Sequence, residues 1–293
     1  MSSRITPLTD PAHGANSRRL AWLASDADSI PVGTAFLRLF DSPEQEHLAE
    51  LTLQVHPVER RRQVGSQLLD AAVAAARDNA RRCVIAQAED GAPGDRFLAA
   101  RGFRRVLTLV FARLPLAEVD TARLTGIVEQ PHPGYQLAAW QGTVPDDLAR
   151  TFAASRRAMD DMPMEDTDYG TVAWDVDRVR AAAKAIEMRG EQLHTVVAID
   201  TSNGSIAGFT ELVTPGNGTG DGQHYGTGVL PEHRGHGLGR WMKAESIRQA
   251  CRHQPGLDGL LTDTAASNGP MRDINDSLGY TPTHTTHQYQ LDL

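Results

Sequence analysis

The chain has 293 residues, of which 40% are hydrophobic and 23% charged, and its formal net charge is -8. That is about twice the length of a common single domain, so two domains with separate cores are expected and a disordered chain is excluded. The acidic balance argues against a nucleic-acid partner, because neutralising phosphates takes a basic face, and it favours cationic partners.

Along the chain, alternating apolar segments come first. Residues 18–25, 31–40 and 47–57 read as strands, the first two parted by the turn signal "DADSIP". A helix follows through "RRQVGSQLLDAAVAAARDNA", where Val64, Leu68, Leu69, Ala72, Val73 and Ala76 recur at helical spacing. Next come a strand "RCVIAQA", a short helix "GDRFLAARG" closed by Gly102 as a left-handed cap, and a strand "RVLTLVFARLPL". The segment 125–134, "TGIVEQPHPG", reads as a linker.

Beyond it lie a strand around "YQLAAWQ" and two helices, which Asp146 and Asp175 are placed to cap; the second stops at Gly190. Then the first order returns: strands "LHTVVAID", "SIAGFTELV" and "HYGTGVL", helix "GLGRWMKAESIRQACRH", strand "LDGLLTD", helix "GPMRDINDSLG" and strand "THQYQLDL". Such a period is far longer than a solenoid repeat and marks a duplicated domain. The fold expected is α/β or α+β in layers, each unit a mixed, mostly antiparallel sheet flanked by helices. The expected domains are 1–124 and 135–293, joined by the linker.

No stretch of about 18 apolar residues occurs, and "MSSRITPLTDPAHGANS" lacks the basic-then-apolar order of an export signal, so a soluble cytoplasmic protein without membrane contact is expected. Cys83 and Cys251, without CxxC spacing, read as structural thiols, and no metal is expected. Lys184 and Lys243 are the only lysines.

The stretch "VLPEHRGHGLGRWMK" carries the chemistry. Glycines between a strand and a helix let successive amides stand bare, and the helix N-terminus adds partial positive charge, which together make a phosphate site. Arg234 adds a formal charge at the mouth and Arg240 a second in the first helical turn. No GK[ST] follows, against a P-loop, and the dinucleotide spacing G-x-G-x-x-G is absent.

"VLPEHRGHGLG", followed by "TDTAASNGPMRDINDSLGY", resembles the GNAT superfamily of acetyl-CoA-dependent acyltransferases. The resemblance implies that Arg234, Gly237 and Gly239, with Gly235, His236 and Leu238 lending backbone, hold the pyrophosphate of acetyl-CoA. The strand through Val229 and Leu230 would pair with the pantetheine arm, and Asn268 would contact it. Where the family commonly has a thiolate-protonating tyrosine, this chain has Asn275, which can hydrogen-bond the sulfur but cannot protonate it. The first unit resembles the same fold, with Gln63 at the first motif glycine, Gly65 kept, Leu98 at the tyrosine position and no evident first strand and helix pair. It reads as a degenerate copy with a structural role, a residual CoA site being the alternative.

Acetylating an amine requires a base. Asp263 matches a position used for this in some family members, His224 lies near where others carry a base, and Glu211 is a third candidate. Tyr225 could face the cleft as an acid, and Tyr280 reads as core. The acidic segment "MDDMPMEDTD", with Asp160, Asp161, Glu165 and Asp166, falls in the region that walls the acceptor site in this fold and would attract a cationic amine. Transfer of acetyl to an amine of a small molecule or short peptide is the expected activity. A non-catalytic CoA-binding protein and a transferase for longer acyl-CoA are the alternatives.

Overall fold

The computed structural model describes residues 3–9, 13–14, 17–160, 163, 165–167 and 173–293. In chain order the elements are β1 (Arg4–Leu8), β2 (His13–Gly14), β3 (Ser17–Ser25), β4 (Pro31–Phe40), β5 (Leu48–Val55), α1 (Val64–Asp78), β6 (Cys83–Glu89), α2 (Pro93–Ala100) and β7 (Arg104–Pro115). They continue as α3 (Thr121–Val128), β8 (Tyr135–Gln141), α4 (Asp146–Ser155), α5 (Val176–Met188), β9 (Glu191–Asp200), β10 (Ile206–Pro215), β11 (Gly220–Val229), α6 (Leu238–His253), β12 (Leu257–Ala265), α7 (Gly269–Ser277) and β13 (Thr281–Asp292). Among the described residues no helix is long and apolar enough to cross a membrane.

The chain forms two compact units. The first comprises Met1–Thr108, Glu165–Thr171 and Thr285–Leu293, the second Leu109–Met164 and Val172–His284. In the first, β1, β3, β4 and β5 pair antiparallel in that order, β5 pairs parallel with β6, and β6 pairs antiparallel with β13 from Thr286 to Asp292. Helix α1 buries Val64, Leu68, Leu69, Ala72 and Ala76 against Leu37, Leu39 and Leu51, so the helical periodicity seen in the sequence is the core face. Strand β1 has no mark in the sequence: it is five largely exposed residues with Pro7 among them.

In the second unit, β8, β9, β10 and β11 run antiparallel, β11 pairs parallel with β12, and β12 pairs antiparallel with the Leu109–Pro115 part of β7. Strand β10 is buried from Ile206 to Thr214, as a central strand covered on both faces must be. Residues 125–128, the start of the segment read from the sequence as a linker, belong to α3, which buries Leu124 and Ile127 in this unit. Asp175 caps α5 by accepting the Arg178 amide at 2.7 Å. Asp146 does not cap α4: it is the first helical residue, behind Pro145, and its carboxylate pairs with Arg180 at 2.5 Å.

Candidate functional site

The site grows from the end of β11. A short 3-10 turn, Pro231–His233, leads to Arg234, whose Nε donates back to the Val229 carbonyl at 3.0 Å. Gly235 and Gly237 then take φ of 80° and 74°, in the left-handed region that glycine alone enters without cost, and Gly237 is the N-cap of α6. A left-handed residue followed by a right-handed one turns successive amides to one side and makes an anion-binding concavity. The first amides of α6 lack intrahelical acceptors and lie at its positive end. Arg240, in that first turn, gives its Nε to the Ser277 hydroxyl at 3.1 Å. His236 lies beside the ring of Tyr135, centroid to centroid 5.5 Å, and His132 stacks on Trp241 at 4.0 Å. Both Tyr135 and His132 escaped the sequence reading because "HPGY" carries turn chemistry and no motif.

The strand before this turn has an open edge. β11 pairs with β12 only from Gly220 to Gln223, against Leu257 to Leu261; from His224 to Val229 no residue of β12 faces it in the ladder. Its other edge stays bonded to β10 as far as Val229. The two parallel strands therefore diverge into a gap that ends at the glycine turn. Opposite the gap the register slips: Glu211 faces Gly226 while Leu212 faces His224, which leaves Tyr225 as the extra residue of a bulge. Tyr225 is 51% exposed, and its hydroxyl takes a hydrogen bond from Arg189 at 3.2 Å. The face of β11 beyond the bulge is flat because it is glycine. A Cβ at Gly228 would stand 3.0 Å from that of Ala158, and one at Gly226 3.2 Å from the Met159 methyl.

Of the sequence-expected bases, Asp263 stands where β11 and β12 part, its Oδ1 accepting from Gln223 at 3.2 Å. Solvent reaches Asp263, yet protein walls its carboxyl, and that desolvation raises its pKa against the opposing pull of Lys243. His224 is buried. Desolvation first, then the Lys243 ammonium, hold its pKa well below the usual histidine value, and neither ring nitrogen has a hydrogen bond of ordinary geometry. Glu211 is buried too, and both of its oxygens accept from Arg156, at 2.7 and 3.0 Å. That guanidinium lies over the rings of Trp174 and Phe209, 4.5 and 4.8 Å from their centroids.

Behind the gap lies a polar cluster that the sequence reading missed. Lys243, on α6, is 1% exposed and donates to Asn275 Oδ1 at 2.5 Å and Thr262 Oγ1 at 3.3 Å, with the Tyr280 ring 4.6 Å away. Burial lowers its pKa to about 7. Asn275 donates to the Thr264 hydroxyl at 3.1 Å, so its amide is held at both ends. The hydroxyl of Tyr280, a core residue as expected, has no partner, and burial pushes its pKa well up. A charged residue among Trp241, Met242 and Ala244 was the available signal.

Asn268 caps α7, accepting the Met271 amide at 3.2 Å. Asp160 is exposed at the end of a 3-10 turn, Arg156–Met159. Glu165 and Asp166 belong to the first unit, where Asp166 lies 3.7 Å from Arg104; Asp161 falls outside the described residues. In the first unit, Arg60 to Gly65 repeats the shape of the glycine turn. Arg61 and Gln63 take φ of 66° and 67° without being glycine, and Arg60 Nε reaches the Val55 carbonyl at 3.3 Å.

The acetyltransferase (GNAT) family model matches residues 4–103 and 158–280. The chain is 29% identical to a mycothiol acetyltransferase of Thermobifida fusca over 92% of its length and 82% of that protein. It is 31% identical to the mycothiol acetyltransferase of Clavibacter michiganensis over 83% of its length and 71% of that protein. Among solved structures, a tandem GNAT protein from the clavulanic acid biosynthesis pathway superposes with a TM-score of 0.77 at 25% identity, covering 96% of this chain and 84% of that one.

Proposed function

The chain belongs to the GNAT acetyltransferase family, and from that premise we propose that its second unit moves an acetyl group from acetyl-CoA to an amine of a small molecule or short peptide. The observation that carries this reading is the open edge of β11 running into a left-handed glycine turn at a helix N-terminus. The residues present fit the co-substrate: bare amides from Gly235 to Gly239, with Arg234 and Arg240 for charge, suit a pyrophosphate. The edge of β11 that β12 leaves open from His224 to Val229 suits an amide-bearing arm as an added strand would. Acetyl-CoA supplies the activated acyl group; the chain's part is to hold it, exclude water and manage protons.

The acceptor's ammonium must lose a proton before its nitrogen can attack. We assign that to Asp263, which meets solvent at the mouth of the gap and whose raised pKa makes it a better base than a free carboxylate. His224, buried and with little affinity for a proton, and Glu211, committed to Arg156, are assigned structural roles. Tyr225, on the bulge, and Asp160 are assigned to the acceptor side, where a negative rim favours a cation. The likeness to two mycothiol acetyltransferases favours a small-molecule acceptor. The first unit is assigned a structural part.

Asn275 in place of a proton-donating tyrosine favours a second reading, a CoA-binding protein without turnover. Calorimetric titration of acetyl-CoA combined with thiol release across a panel of amines separates the two. Binding with acceptor-dependent release supports the transferase, binding without release supports the second reading, and absence of binding overturns both.

A further inference from the structure

The buried lysine stands where the leaving sulfur lacks a proton donor. Thr262 and Thr264 lie on β12 just beyond Leu261, its last residue paired with β11, and His224 lies on β11 just beyond Gln223. Lys243 reaches from α6 into the space between those two walls, touching Thr262 and Asn275 by hydrogen bonds and Tyr280 through its ring. Every contact that fixes the ammonium is neutral. Asp263 acts on it only at longer range, and the Tyr280 hydroxyl has no hydrogen bond. A buried cation without a carboxylate against it is expensive to keep, and a methionine of similar length would pack there without that cost. The floor of the gap thus carries an ammonium whose hydrogen bonds go to neutral groups alone.

Resting on the reading of this unit as an acetyl-CoA transferase, we propose that Lys243 is the positioning residue for the leaving thiolate, its ammonium polarising the Asn275 amide that replaces the missing hydroxyl. The nitrogen of the deprotonated acceptor forms the bond to the acyl carbon as the carbon–sulfur bond breaks. The electron pair of that bond stays on sulfur, giving a thiolate. Asp263 has already taken one proton from the acceptor's ammonium, so the surplus proton left on nitrogen goes to solvent, and the thiolate takes its proton from solvent on release. An ammonium holding Asn275 Oδ1 draws electron density through the amide and strengthens its Nδ2–H as a donor. Near neutral pH the lysine is only partly protonated without ligand, so an anion at the sulfur position draws the proton on. The groups around this ammonium are His224 from β11, Asp263 and the two threonines from β12, Asn275 from α7 and Tyr280 at the head of β13.

Having only two lysines, of which Lys184 is exposed on α5, the chain offers a direct readout. With carbon-13 lysine, the ε-carbon signal of Lys243 should titrate near neutrality, and saturating CoA should raise that value by about one unit or more, as an opposite charge within a few ångströms does. By reciprocity, the thiol of bound CoA, followed by thiolate absorbance, should titrate below free CoA by the same amount. Lys243→Met, and Lys243→Gln should the first not fold, should return the bound thiol to its free value while calorimetry still reports CoA binding. CoA that binds but leaves both titrations where they were overturns this inference alone. CoA that gives no heat at all overturns the functional reading beneath it.

Discussion

Glu211→Gln separates a proton-transfer role from a structural one at this residue. The carboxylate meets Arg156 through two parallel hydrogen bonds, and the side chains are 7% and 10% exposed, so neither partner has water to fall back on. An amide can accept one of those hydrogen bonds but carries no charge, which leaves the guanidinium buried with only Trp174, Phe152 and Phe209 around it. Breaking a buried pair from one side costs about 3–5 kcal/mol. For a unit of this size, with about 2–4 °C lost per kcal/mol, the melting temperature should fall by roughly 6–20 °C. Replacing both partners, Glu211→Leu with Arg156→Leu, should recover most of the loss, because no uncompensated charge remains. Differential scanning calorimetry at neutral pH reads all three proteins. If Glu211→Gln melts with the wild type while acetyl transfer disappears, Glu211 is the base and the assignment to Asp263 is wrong.

Gly237→Val should weaken acetyl-CoA binding at least tenfold by calorimetry, since a β-branched residue resists φ of 74° and the loss of one charge-assisted hydrogen bond is worth about 1.5–3 kcal/mol; undiminished affinity would remove the phosphate from this turn. Asp263→Asn should lower kcat/KM by about 10²–10⁴ and abolish its acid limb. The sign follows from the raised pKa: the basic form fills only as pH climbs through a value above that of an ordinary carboxylate, so activity rises across that window and levels off, and a limb surviving in the variant would clear Asp263. Gln63→Gly should raise the melting temperature of the first unit through release of about 1 kcal/mol of left-handed strain, and a fall would mean that the side chain holds the turn.

Features whose physics is local were legible in the residues. The glycine turn announces itself because φ above zero leaves a compositional mark, and Asp175 because a cap acts within one helical turn of itself. Asp146 misled for a related reason: one residue decides between capping a helix and entering it, and Pro145 ahead of it took the outer place. Partner choice between distant strands left no such mark. The alternating segments at β7 and β13 look alike, so nothing in them says that the end of β13 closes the first unit against β6 while the end of β7 closes the second against β12.

The turn at Arg61 and Gln63 shows where reading by glycine stops. Loss of a glycine removes the ease of a left-handed turn, about 1–2 kcal/mol per residue, but a folded unit whose helix and strand already dictate the path can absorb that cost. The backbone from Arg60 to Val64 accordingly keeps the conformation found from Arg234 to Leu238, with arginine and glutamine side chains where the second copy is bare. Lys243 is the converse case. Nothing about one lysine in a helix is unusual until the phase of α6 puts it at 1% exposure, and then its hydrogen bonding to neutral groups alone makes it the most informative charge in the unit. Periodicity alone can find such a residue, provided that the apolar face is read for what interrupts it as well as for what composes it.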